Sequence, residues 1–231
     1  MVANFPAAAL GAQVRPVAWA AERVLPVLAP FEPILAGGGL RRGSSVAVEA
    51  PTGWGARSLA LALAAGASAA GSWCAAVGLA DLGLLAAHET GVVLQRFPQV
   101  PAPPAKEWAA VVAALVEGVD IVLAGPPLGQ IRPADGRRLA ARARDRGAVV
   151  VRVGGHWPEM ADVVLRVTAV EWEGLGRGHG HLRGRRVEVE VDGRRGSGSG
   201  RRTWLWLPHP SGGVAAAEPP ARLAPVRVLR P

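Results

Sequence analysis

One alternation constrains this chain's fold more than any other feature. Between residues 45 and 153, short runs of Val, Ile, Leu and Ala take turns with longer stretches whose apolar residues recur at helical spacing. "SVAVEA" (45–50), "WCAAVGL" (73–79), "GVVLQRF" (91–97), "DIVLAG" (120–125) and "AVVVRV" (148–153) read as strands. "ARSLALALAAGASAA" (56–70), the stretch from Asp81 to Glu89, "KEWAAVVAALVEGV" (106–119) and "PADGRRLAARARDRG" (133–147) read as helices. The strands are apolar at successive positions, so both of their faces are covered. Strands of that kind joined by helices build an α/β fold, a mostly parallel sheet flanked by helices.

After about residue 160 the pattern changes. "DVVLRV" (162–167), "RRVEVEV" (185–191) and "TWLWLP" (203–208) follow one another with no helix between them. The last two alternate strictly, as strands with one exposed face do. They flank "DGRRGSGSGRR" (192–202) and are expected to form an antiparallel hairpin that closes the sheet. Alternation places Trp204 and Trp206 opposite Leu205 and Leu207, so one of these apolar faces is either outward or covered by the N-terminal segment or a partner. The expected organisation is an N-terminal helical segment (1–29, with the helix at 14–28), a core (30–207) and a flexible Pro/Ala/Arg-rich tail (208–231).

A chain of 231 residues, half of them hydrophobic, suits one large domain. Its net charge of +8 favours nucleic acid or an acidic protein as partner. Arginine carries nearly all of that charge, Lys106 is the only lysine and tyrosine is absent, so coding bias explains part of it. The single Cys74 excludes an intrachain disulfide and a cysteine-based zinc site, and its apolar surroundings mark it as a buried thiol. The start, "MVANFPAAALGAQVR", lacks the basic region of a signal peptide. The uncharged stretch between Arg57 and Asp81 is rich in Ala and Gly, which suits a buried helix, turn and strand better than a membrane span. A cytoplasmic or nucleoid-associated protein is expected, with no membrane contact.

Residues 48–63, "VEAPTGWGARSLALAL", have the outline of a phosphate-binding loop: strand, Gly-rich turn, helix. The working form is G-x-x-x-x-G-K-[ST], in which Lys reaches the outer phosphates and the hydroxyl binds magnesium. Here Ala50 takes the first Gly position and Gly55 the second. Ala56 stands in place of Lys, Arg57 in place of Ser/Thr, and Ser58 comes one residue late. Pro51 removes a backbone donor, while Gly53 and Gly55 keep the tight turn; Trp54 and Arg57 are expected to face a partner instead of a nucleotide. The acid that positions magnesium at the end of a neighbouring strand is missing too, because Gly125 stands there. Asp120 is at the wrong end of that strand, roughly 16 Å away. Asp81 is the only candidate base near the loop, and capping the next helix is the simpler role for it. No catalytic residues, cofactor or metal site are expected.

"GGGLRRGSSVAVEAPTGWGARSLALAL" resembles the start of the RecA core, with the same order of turn, strand, phosphate loop and helix. "GSWCAAVGLAD" resembles its second strand without the acidic residue, "VDIVLAGPP" its Walker B strand without the aspartate, and "RRVEVEV" with "TWLWLP" its closing hairpin. Among RecA relatives, "RVTAVEWEGLGRGHGHLRGRRVEVEV" is most similar to the actinobacterial ImuA-type proteins, which are related to SulA-type division inhibitors. The resemblance implies a RecA-like P-loop-NTPase-type core over residues 30–207 that no longer hydrolyses nucleotide. It also implies an accessory role in damage-induced translesion synthesis, with an ImuB-type polymerase-like protein and an error-prone DnaE-type polymerase as partners. A SulA-like division inhibitor and a divergent ATP-dependent recombinase stand as alternatives. The segment after "AVVVRV", "GGHWPEMA", is too short for a RecA-type DNA-binding loop.

Candidate contacts to nucleic acid or a partner are basic. "WEGLGRGHGHLRGRR" holds Arg177, Arg183, Arg185 and Arg186 with His179 and His181, either as a phosphate-contacting loop or as a solvated one. Arg138, Arg142 and Arg146 repeat at four-residue spacing on one helix face, which is either solvated or turned to an acidic partner. Trp172, Trp204 and Trp206 are candidates for base stacking or a protein interface.

Overall fold

The computed structural model describes residues 24–127, 129, 131–155, 157, 161–175, 179–193 and 200–220, and the structural statements below concern these. Two strands, β1 (Val24–Pro26) and β2 (Gly39–Arg41), pair antiparallel in a small ribbon. Nine more make one sheet: β3 (Ser45–Glu49), β4 (Cys74–Val77), β5 (Gln99–Val100), β6 (Ile121–Ala124), β7 (Val149–Val153), β8 (Val163–Leu175), β9 (Gly180–Gly193), β10 (Arg201–Trp206) and β11 (Ala215–Ala217). Their order is β11-β10-β9-β8-β3-β7-β6-β4-β5. From β8 to β5 every pairing is parallel, and from β8 to β11 every pairing is antiparallel. The helices are α1 (Ala56–Ala69), α2 (Leu84–Thr90), α3 (Ala105–Gly118) and α4 (Pro133–Arg146).

Two apolar layers flank the parallel strands. Leu59, Leu61 and Leu63 of α1 join Val46, Val48, Leu123, Val151, Leu165 and Phe31 on one side. Trp108, Val112 and Val116 of α3 join Val122, Val150 and Ala143 of α4 on the other. The expected α/β architecture with a parallel sheet and a closing antiparallel portion is therefore present. The alternation in "RRVEVEV" is realised too: Val187, Val189 and Val191 are fully buried. On the other face Arg202 pairs with Glu190 (3.2 Å) and Thr168 donates to Glu188 (2.6 Å).

From Leu59 to Ala65 every residue of α1 is apolar and buried, so this part of the helix is covered all round. A Cβ on its Gly66 would lie 2.5 Å from Val27 Cα and 2.7 Å from the Val27 carbonyl oxygen, so the N-terminal segment meets the helix backbone to backbone. Gly66→Val is expected to cost about 3 kcal/mol through overpacking, read as a lower urea midpoint. Gly118→Ala is the control. Nothing lies within 4 Å of a Cβ at Gly118, so its effect should be neutral to stabilising by up to about 1 kcal/mol. Equal effects at the two sites would refute this packing.

Several expectations shift. Residues 24–26 are strand rather than the last turns of a helix at 14–28, whose earlier part lies outside the described residues. "GVVLQRF" is not a strand: Leu94–Arg96 form a single 3-10 turn, and the strand is the short β5 that follows. The C-terminus of α1 captures this segment, since Ser68 Oγ accepts from the Val93 amide (3.0 Å) and the Ser68 carbonyl accepts from Arg96 (3.0 Å). With Val93 held this way and Phe97 buried, the run serves the α1 layer instead of a ladder. "WEGLGRGHGHLRGRR" is mostly ladder, not loop: β8 and β9 stay paired as far as Leu175 and Gly180. The tail contributes an edge strand, with Trp204–Trp206 of β10 paired to β11. Residues 194–199 and 221–231 lie outside the described set. No helix among the described residues is long and apolar enough to cross a membrane.

Candidate functional site

In open parallel sheets the ligand crevice lies beyond the carboxyl ends of the strands. Here that edge gathers the loop after β3, the ends of β4 and β6, and the outer half of the β8–β9 ribbon.

The loop keeps its turn. Gly53 (φ 82°) and Gly55 (φ 95°) adopt left-handed backbone that glycine tolerates best, and Gly55 caps α1 with its carbonyl accepting from Leu59 (2.9 Å). The Trp54 amide, one of the donors a phosphate cradle would aim at its ligand, is spent on the Pro51 carbonyl (3.0 Å). Ala50, Trp54 and Ala56 pack against the core, so the Trp54 side chain does not stand out as a free contact surface. Arg57 pairs with Asp81 (2.8 Å). Asp81 does not cap the helix after it, since Gly83 holds that position; it neutralises the Arg57 guanidinium instead. Ser58 is half-buried in the first turn of α1.

Arg185 changes the reading of this loop. It belongs with the candidate basic contacts in sequence, yet only 5% of it is exposed. A Cβ on Gly55 would fall on its guanidinium, 2.6 Å from Cζ, so the group lies directly against the loop. Its Nε donates to the Leu207 carbonyl (2.7 Å), and its Cζ sits 5.0 Å from the centre of the Trp172 ring. Burial draws the pKa of this arginine below its ordinary value. Gly55 thus meets two demands, a left-handed turn and room for a guanidinium. Alternation carried the signal: Arg185 shares its parity with the buried Val187, Val189 and Val191.

The acid position is closed. A Cβ on Gly125 would lie 2.8 Å from the Gly78 carbonyl carbon and 2.9 Å from Leu79 Cδ2, while its amide donates to the Val77 carbonyl (2.8 Å). One step on, a Cβ at Gly155 would lie 2.5 Å from Pro126 Cβ. Backbone packing between strand ends occupies the space an aspartate would need. Asp120, at the far end of β6, pairs with Arg42 (2.8 Å) and accepts from the Trp73 amide (3.1 Å). The Cys74 thiol is fully buried and pushed up to about 12, by burial first and the Asp120 charge second. It is no nucleophile at neutral pH.

The remaining basic candidates divide. Arg186 pairs with Glu171 (2.8 Å) and stacks over Trp206 (5.2 Å). Arg142 and Arg146 both hold Glu117 of α3 (3.1 and 2.7 Å), and Arg138 reaches Asp135 (3.7 Å). Arg142 and Arg146 thus tie α4 to α3, while Arg138 pairs only within α4 and stays largely exposed. Arg183 and His181 are exposed on β9, and His179 is exposed just before it, whereas Arg177 lies outside the described residues. Trp204 is buried and unavailable for stacking, while Trp172 is 43% exposed. Leu175 and Leu182 are exposed beside it on the ribbon.

Residues 33–159 match the family model described as MT3502 N-terminal domain. Over 103 residues the chain is 40% identical to the uncharacterized protein Rv3395c of Mycobacterium tuberculosis, covering 45% of this chain and 50% of that protein. The chain thus spans about half the length of the curated relative it matches.

Proposed function

The chain belongs to the MT3502 N-terminal domain family, and we propose that it is a non-catalytic adaptor with a RecA-like core. It would act in damage-induced translesion synthesis, bridging an ImuB-type polymerase-like protein and an error-prone DnaE-type polymerase. The observation that carries the non-catalytic part is Arg185, whose guanidinium lies against Gly55 in the loop that would hold phosphate. The sealed position at Gly125 supports the same reading, since lysine, hydroxyl and acid are missing together.

The adaptor part rests on the ribbon. β8 pairs with β3 only from Val163 to Arg166, and its remaining residues up to Leu175 run on with β9 alone. Exposed Trp172, Leu175 and Leu182 sit on that extension. Exposed apolar side chains on a projecting ribbon suit a protein interface.

Co-purification tests the reading. The tagged chain, recovered from cells exposed to DNA damage, should bring down an ImuB-type protein. Leu175→Asp with Leu182→Asp should reduce that recovery at least tenfold while leaving the circular dichroism spectrum intact. No ImuB-type protein in the eluate would sink the adaptor role. Filamentous growth on overexpression with unchanged mutation frequency would favour the SulA-like alternative, and micromolar binding of ATP with magnesium in calorimetry would favour the recombinase.

A further inference from the structure

The opposite edge of the sheet carries a second group of residues that the adaptor reading does not use. At the amino ends of β3 and β8 a cavity of about 630 Å³ is lined by Arg41, Arg42, Gly43, Ser44, Arg144 and Asp162, among others. The acids here are engaged. Asp162 accepts from the amide (2.9 Å) and hydroxyl (3.2 Å) of Ser45, and Asp120 is shared between Arg42 and the Trp73 amide. Arg41 and Arg144 are exposed, and neither side chain has a partner among the described residues. Arg201, which donates to the Pro33 carbonyl (3.3 Å), extends the positive edge along β10.

Trp73 stands on the same edge. It immediately precedes β4, is 49% exposed, and is tied to Arg42 through Asp120. From β3 to β4 the sheet steps across β7 and β6, three strand spacings or roughly 14 Å. That span matches about four stacked nucleotides at ~3.4 Å each. Guanidinium groups without carboxylate partners attract phosphate, and an exposed indole in line with them offers a face to a base. An acidic peptide would use the arginines but has no need of the indole.

We propose that this edge binds single-stranded nucleic acid, with Arg41 and Arg144 on backbone phosphates and Trp73 stacked against a base. The inference stands on these residues alone and does not depend on the adaptor role or on the loop at the opposite edge.

Fluorescence anisotropy with a labelled oligothymidylate of about 12 nucleotides, followed over a salt series, tests it. The full chain should bind. Arg41→Ala with Arg144→Ala should weaken binding more than tenfold and flatten the log K against log salt slope by about 1.4, since each phosphate contributes ~0.7 on a single strand. Trp73→Ala should weaken binding roughly tenfold with the slope unchanged. Arg132→Ala, at the start of α4 and so at the opposite edge, should bind as the parent does. Circular dichroism checks that each variant is folded. No binding by the parent chain, or parental affinity in the double arginine variant, overturns the proposal. So does an affinity indifferent to Trp73, or displacement of the oligonucleotide by polyglutamate at equal charge concentration, which would assign the edge to an acidic protein.

Discussion

Gly125→Asp is expected to cripple the fold without arming the site. The substitution places an acid where a working phosphate site would need one, at the end of a strand where Gly125 is buried. Its Cβ alone would overlap the backbone of Gly78, and the carboxylate beyond it would be driven into a packed strand junction. Overpacking and an unpaired buried acid together should cost about 4 kcal/mol or more. For a chain of this size that lowers the thermal midpoint by about 10 °C. Gly125→Ala should show part of the loss, because the clash begins at Cβ. Calorimetry on folded Gly125→Asp should register no binding of ATP with magnesium. A variant as stable as its parent that gained magnesium-dependent nucleotide binding would contradict both the packing and the non-catalytic reading.

Arg185→Ala should destabilise by about 2–4 kcal/mol, through a void beside Gly55 and the loss of the donor to the Leu207 carbonyl. Arg185→Met should lie close to the parent, because it keeps much of the stem's volume and removes the cost of desolvating a charge. Denaturant unfolding of these variants with Gly55→Ala forms a double-mutant cycle. Gly55→Ala suffers in the parent from its left-handed φ and from collision with the guanidinium; the second part disappears once Arg185 is gone. A coupling of about 1 kcal/mol or more is expected. Coupling within about 0.3 kcal/mol of zero would mean that the guanidinium does not rest on the loop.

Residues in these two experiments also mark where sequence reasoning stopped. That lysine, hydroxyl and acid do not stand where a working phosphate site would need them was visible at Ala56, Arg57 and Gly125. The closeness of Gly78 to Gly125 was not, because a glycine in sequence does not say which backbone approaches it. Arg185 looked like one of several loop cations, although its parity with three buried valines pointed inward. Arg142 and Arg146 looked like an outer face because Glu117, which holds both, lies on a different helix. The 91–97 run failed as a strand because Ser68, in a separate helix, claims its amide and the core claims its aromatic ring.

The sequence by itself determined the alternation of buried strands and helices, hence the parallel sheet, and the two-residue period of its closing strands. These are local consequences of side-chain spacing, and each element carries its own period wherever it is packed. Tertiary structure alone decided what fills the space between elements: Arg185 against Gly55, Asp81 on Arg57, and the junction of Gly78 and Gly125. Those contacts join residues far apart in the chain, and steric exclusion and charge pairing act on distance in space, which sequence spacing does not encode.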